Sequence, residues 1–140
     1  MENLSRLFLI LPMILYLFRP NTIKPYISKS KIQGYGLFAG KNYEKHEVIF
    51  ENVFPYKDKS TILFNPITQE EFDRCILNEG HYMNHCSRNK NVEMLSDDFR
   101  TFRIIATKKI TKRDELFIDY NLLHKSFPFI APALPSYVGC

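Results

Sequence analysis

Cysteine is scarce. The 140 residues hold three, Cys75, Cys86 and Cys140, odd in number and far apart. That pattern implies no disulfide framework and no CxxC redox pair, and the simplest setting for such a domain is a reducing compartment. Long apolar runs are lacking as well. Leu7 to Phe18 is apolar apart from Pro12 and is bracketed by Arg6 and Arg19. As a helix it would span about 18 Å, short of the roughly 30 Å hydrocarbon core. Arg19-Pro20-Asn21-Thr22 offers no small-residue cleavage site, which argues against a secretory signal. Three roles stay open for the stretch: an uncleaved membrane anchor, which leads, an interfacial segment, or an N-terminal helix packed on the domain. No internal repeat is evident. An excess of charge of either sign is missing from most of the chain. The formal net charge of +4 is carried by residues 1–33, whereas residues 34–140 balance 14 basic against 14 acidic side chains. Direct nucleic acid binding by the folded part is therefore not expected.

Aromatic side chains are plentiful, twelve Phe and eight Tyr. They are ample for the core of one domain and argue against disorder. Pro20 and Pro25 set off residues 1–24 as an apolar segment with its linker. The main domain is then 25–121. Residues 122–140, with Pro128, Pro132 and Pro135, read as an extended wrap rather than a helix. Short β-rich runs dominate between these limits. Strands are expected at Tyr26–Lys29, Tyr35–Ala39, Val48–Phe54, Val92–Leu95, Phe99–Thr107 and Glu115–Asp119, with turns near 31–34, 42–47 and 108–113. Residues 55–67 read as irregular. Thr68-Gln69-Glu70-Glu71 is a capping box that opens a helix of about ten residues, ended by Gly80. The chain is thus mostly β with one internal helix.

Three stretches carry candidate chemistry. In Gly80-His81-Tyr82-Met83-Asn84-His85-Cys86-Ser87, Asn84 and His85 offer donors and acceptors side by side. They can hold a polar small molecule or satisfy a buried polar turn. A zinc site using His81, His85 and Cys86 lacks a fourth ligand at structural spacing, and no metal is expected. In Gly34-Tyr35-Gly36, the glycines let a backbone pass close to a ligand, or else form a tight turn or bulge. The third stretch runs from Ile105 through Asp114-Glu115-Leu116-Phe117-Ile118-Asp119-Tyr120.

In that order and at those separations, the three stretches resemble the SET domain of protein lysine methyltransferases. The family reads roughly S-x-x-G-x-G-L-F-A, then R-F-x-N-H-S-C, then G-E-E-L-x-x-D-Y, and the resemblance covers residues 27 to 121. It implies small twisted sheets around a knot-like threaded segment. It also implies methyl transfer from S-adenosylmethionine to a protein lysine in a basic, histone-like tail. By the resemblance, Gly34, Tyr35, Gly36, Tyr82, Asn84 and His85 bind the cofactor and Tyr120 is catalytic, its hydroxyl orienting the amine. The zinc-binding cysteine clusters that flank some members are absent. Asn52 stands where many members have a channel tyrosine. This favours the alternative of an inactive fold that binds cofactor or peptide. His46 and Arg113 replace family glycines, so either the turns differ or a side chain occupies strained backbone. Residues 44–79 carry eight acidic against four basic side chains, a wall suited to a basic peptide or an ordinary solvated face. The apolar N-terminus implies a membrane-anchored domain, or a nuclear or cytoplasmic one if the segment packs on the fold.

Overall fold

A computed structural model of the chain describes residues 23–54, 58–65, 67–68, 70–71, 80, 82–135 and 140. The expected strands form. Strand β1 (Tyr26–Lys29) pairs antiparallel with β2 (Tyr35–Phe38). Strands β3 (Val48–Val53), β5 (Val92–Leu95) and β6 (Thr101–Ala106) make a three-stranded sheet in the order β3-β6-β5. Asn84–His85 is no polar turn: it is a short strand, β4, running parallel to β7 (Phe117–Ile118). Two residues of parallel pairing leave no alternation to read.

Two helices were not foreseen. Helix α1 (Lys59–Phe64) lies in the stretch expected to be irregular, and Asp58 caps it by accepting from the amide of Thr61 at 2.8 Å. Helix α2 (Tyr120–Ser126) replaces the start of the expected extended wrap. The Asp119 carboxylate nucleates it, accepting from the amides of Asn121 and Leu122. The first proline of the tail, Pro128, falls beyond its end and cannot prevent it. The capping box forms as read: the Thr68 hydroxyl accepts from the Glu71 amide at 3.1 Å, and the Glu71 carboxylate accepts from the Thr68 amide at 2.9 Å. Glu70, Glu71 and Gly80 are helical. Residues 72–79 lie outside the described set.

The core lies against one face of the β3-β6-β5 sheet. Phe102, Ile104, Ala106, Val92 and Met94 are buried there with Leu37, Leu116 and Ile118 from the other strands. Phe127, just past α2, stacks edge-on against Phe102 and Phe99 with ring centroids 5.6 and 5.8 Å apart. Burying such a ring contributes about 1.5–3 kcal/mol, so the chain beyond residue 121 is tied into the domain. That packing fixes α2, and with it Tyr120.

Two turns repeat one design. Around Tyr43 and Ile110, which exchange both backbone hydrogen bonds at 2.9 Å, the chain reverses twice. In each turn an acidic side chain accepts from the amide three residues earlier, Glu47 from Glu44 and Asp114 from Thr111. The residue before each acid, His46 (φ 71°) or Arg113 (φ 77°), is left-handed. The strained alternative is thus the one adopted. Lys41 pairs with Glu47 and lies over the Tyr43 ring, 4.9 Å from its centroid.

Three expectations need correction or fall outside view. Cys86 and Cys140 form a disulfide, with Cα atoms 4.8 Å apart. The fold brings residue 140 beside the turn after β4, where the Arg88 amide reaches its carbonyl at 3.3 Å. Sequence spacing could not show that contact. Among the described residues no helix is long and apolar enough to cross a membrane. The apolar stretch Leu7 to Phe18, read as anchor or N-terminal helix, lies outside the described residues, as do Cys75 and His81.

Candidate functional site

Asn84 is where the three motifs meet. Its Nδ2 donates to Glu115 Oε1 at 2.8 Å, to the carbonyl of Tyr35 at 3.2 Å and to that of Gln33 at 3.3 Å. One side-chain amide therefore joins the β1–β2 hairpin, strand β4 and the segment entering β7. Three acceptors for two N–H groups make these shared bonds. Gly34 sits in the hairpin turn at φ 50°, a conformation that disfavours a side chain, and its carbonyl accepts from the Ser30 amide at 2.9 Å. Gly36 is buried, and a Cβ on it would overlap the Glu115 carboxylate. That glycine thus makes room first for Glu115. Tyr35 is 64% exposed and Tyr82 37%, so both rings reach the surface.

His85 faces inward. It is 2% exposed, and its Nδ1 accepts from the backbone amide of Tyr120 at 3.0 Å. The ring proton then resides on Nε2. Asp119 Oδ1 lies 3.9 Å from the same nitrogen, too far for a hydrogen bond. Tyr120 in turn donates its hydroxyl to the carbonyl of Met83 at 2.5 Å, and its ring lies 5.3 Å from that of His85. The expected catalytic Tyr120 is therefore hydrogen-bonded on either side of Asn84, to Met83 and to His85, and Asn84 in turn holds the hairpin, as one unit.

Two residues of this unit escaped the sequence reading. Glu115 holds Asn84 and also accepts from the Ser30 hydroxyl at 3.0 Å. It stands in the third motif, but no site role was expected of it. Asn91, buried, donates to the Glu115 carbonyl and accepts from the Phe117 amide, both at 2.8 Å, clamping the chain that carries Glu115. It was hidden in a polar run that read as loop. Asn52 lies in β3 opposite Phe102.

The acidic wall is partly spent on local structure. Glu47 pairs with Lys41, Glu44 lies 3.7 Å from Lys109, Asp58 caps α1, and Glu71 closes the capping box. Hydrogen bonds from Lys41 and the Glu44 amide hold the Glu47 carboxyl below the ordinary range. Burial, and then the Glu47 charge, push the Tyr43 phenol up. A separate cavity of about 120 Å³ opens between β5, β7 and α2, lined by Lys90, Glu93 and Asp119 among apolar side chains. None of the residues around Asn84 lines it. Among the described residues no group of three His, Cys, Asp or Glu side chains is placed to hold a metal.

The model of the SET domain matches residues 34–121, more than half of the chain. The chain belongs to the SET-domain family. Over 116 residues it is 31% identical to histone-lysine N-methyltransferase trr of Drosophila melanogaster, covering 69% of this chain and 5% of the relative. Over 120 residues it is 31% identical to histone-lysine N-methyltransferase 2D of Homo sapiens, covering 69% of this chain and 2% of the relative. The SET chain thus spans only a small part of the curated relatives it matches. Among solved structures it is similar to a humanized mutant of the Chaetomium thermophilum Polycomb Repressive Complex 2 bound to the inhibitor GSK126. There it shows 23% identity over 69% of this chain and 14% of that chain, with a TM-score of 0.48.

Proposed function

We propose that the chain transfers a methyl group from S-adenosylmethionine to a lysine side chain in a basic, histone-like protein segment. The convergence of all three motifs on Asn84 carries this reading. The substrate class rests on family membership and on the relatives that bear the name histone-lysine N-methyltransferase.

The residues present suit the cofactor. A backbone rim with two exposed aromatic rings, an amide and a carboxylate form a cradle for a molecule with one flat and one zwitterionic end. Gly34, Tyr35, Gly36, Tyr82, Asn84 and the backbone of His85 would hold it. When bound, the cofactor supplies an electrophilic methyl group on a sulfonium. The protein has then to present the lysine amine unprotonated, dry and aligned. Tyr120 would serve the alignment, its hydroxyl anchored on Met83 immediately before Asn84 and its backbone amide anchored on His85.

A second reading, binding of cofactor or peptide without turnover, is favoured by Asn52 at the place of a channel tyrosine. One experiment separates the two. Calorimetry with S-adenosylmethionine is followed by incubation with labelled cofactor and a panel of basic peptides. Binding with transfer is the expected result. Binding without transfer selects the second reading, and no binding removes the methyltransferase reading.

A further inference from the structure

The disulfide closes on the hydrogen-bonded unit around Tyr120, not on the periphery. Cys86 directly follows His85 at the end of β4 and is fully buried. Its amide donates to the Ile118 carbonyl at 3.1 Å, which carries the β4–β7 pairing one residue further. Its sulfur also shapes the next loop, accepting from the Asn89 amide at 3.3 Å. That loop leads to Asn91, which grips Phe117 through its backbone amide at 3.0 Å and through its side-chain oxygen at 2.8 Å. The Cys86 sulfur therefore stands between two grips on β7, and β7 runs into Asp119 and Tyr120. Residue 140, at the other end of the bond, is half-buried. Among the described residues it meets the fold at the disulfide and at the Arg88 amide, 3.3 Å from its carbonyl. A hydrogen bond of that length is weak beside a covalent link. The Cys86 sulfur also lies 3.0 Å from the Cys140 carbonyl oxygen. As a half-cystine it has no hydrogen to donate there, and as a thiol it is only a weak donor.

We propose that the Cys86–Cys140 bond is a redox switch on the site. Oxidised, it holds the end of β4 and the loop 86–91 in the arrangement that positions His85 and Tyr120; reduced, it lets them loosen. The reductant is a dithiol. Disulfide exchange needs access to the sulfur under attack, and Cys86 is closed to it. A thiolate of the reductant therefore attacks the Cys140 sulfur, and the Cys86 thiolate leaves and takes up a proton. The second thiol of the reductant then displaces Cys140, which is protonated in turn. Two electrons pass to the protein, one S–S bond is lost, and the dithiol ends as a disulfide. The consequence for cofactor binding rests on the functional reading above.

The test compares the full chain oxidised, reduced with dithiothreitol and reoxidised, with Cys140→Ser beside it. Alkylation in denaturant, read by intact mass, counts the thiols: one on the oxidised chain, Cys75, and three on the reduced chain. Amide hydrogen exchange at Tyr120, read by NMR, reports its bond to His85 with no ligand present. Calorimetry with S-adenosylmethionine reports the site. The expected result is cooperative melting in both states. After reduction the Tyr120 amide should exchange about tenfold faster or more, and affinity should fall about fivefold or more, the scale of coupling between linked sites. Reoxidation should restore both. Cys140→Ser should resemble the reduced chain with or without dithiothreitol; if that variant does not fold, the wild-type cycle alone decides. Unchanged exchange at Tyr120, or unchanged affinity in a chain that binds, would overturn the proposal and leave the disulfide as a staple. Three thiols after oxidation, or a reduced chain that no longer melts cooperatively, would overturn it too. A wild type that binds in neither state removes the methyltransferase reading instead, and exchange at Tyr120 still decides the switch.

Discussion

The imidazole of His85 accepts the backbone amide of Tyr120 at 3.0 Å, so the middle motif dictates where the last motif turns into helix α2. The bond spans 35 residues, and its acceptor is almost fully buried. His85→Ala should cost about 1–3 kcal/mol for the orphaned amide alone and release the start of α2. His85→Asn, whose side-chain oxygen can accept the same amide, should recover part of the loss. Denaturant unfolding of both variants, run beside methyl transfer, checks this. If alanine lowers transfer while asparagine restores it, the histidine acts by positioning Tyr120.

Tyr120→Phe keeps the ring and removes the donor to the Met83 carbonyl. Stability should fall by about 1 kcal/mol. Single-turnover methyl transfer should fall by about a hundredfold or more, the scale of a misaligned reacting group, with cofactor affinity little changed. Unchanged turnover with a lowered melting temperature would take the hydroxyl out of the reaction and leave it as a strut between β4 and α2.

Asn84→Ala removes the amide that ties the β1–β2 hairpin to Glu115. Cofactor affinity should weaken by about 1–3 kcal/mol, and the β1–β2 hairpin should lose its tether. Asn84→Asp is the sharper probe. It is nearly isosteric but places a second carboxylate against Glu115, 2.8 Å from where the amide donated. At neutral pH it should be less stable than the alanine variant, and acidification should narrow the gap, because like charges at that range oppose each other. Thermal melts of the two variants across pH read this directly.

The strands were legible because alternation and turn chemistry are local signals, and the ordered motifs because they resemble the family's. The unread features all depend on contacts far apart in sequence or on single caps. Helix α1 rests on Asp58, and α2 is hidden behind three downstream prolines that never enter it. The Cys86–Cys140 disulfide joins residues 54 apart. Glu115 stood in the third motif with no site role expected of it, and the approach of Gly36 and Asn84 makes it part of the site. The left-handed turns were half legible: the residues at issue were named, but local sequence could not decide the conformation.

Glu47 makes stability depend on pH. Its folded carboxyl is held below the ordinary range, first by the Lys41 hydrogen bond and then by the Glu44 amide. A carboxyl depressed by folding contributes stability that is complete above its unfolded pKa, about 4.3. That contribution is lost as pH falls through the lower, folded value. Glu47→Gln should therefore be less stable than wild type at neutral pH. The difference should shrink steadily below the ordinary carboxylate range, as melting temperatures of the pair across pH will show. A constant difference would mean that Glu47 acts through shape alone.

The two left-handed side chains at matched turns give the last prediction. His46 and Arg113 adopt φ near 70–80°, a region that costs a residue bearing a Cβ about 1–2 kcal/mol. Replacing either by glycine relieves that cost but adds freedom to the unfolded chain, worth roughly 0.5–1 kcal/mol. It also deletes a side chain, so alanine is the proper reference: it loses the same group and keeps the strain. Glycine should exceed alanine in stability by up to about 1 kcal/mol at each position. Phe99 provides the contrast. It too is left-handed, at φ 56°, yet its ring packs edge-on against Phe127. There glycine should destabilise relative to wild type, because the lost ring burial, about 1.5–3 kcal/mol, outweighs the relief. Denaturation curves for the His46, Arg113 and Phe99 variants settle it. If glycine proves no better than alanine at His46 and Arg113, the turns store no strain, and the family's preference for glycine there has another cause.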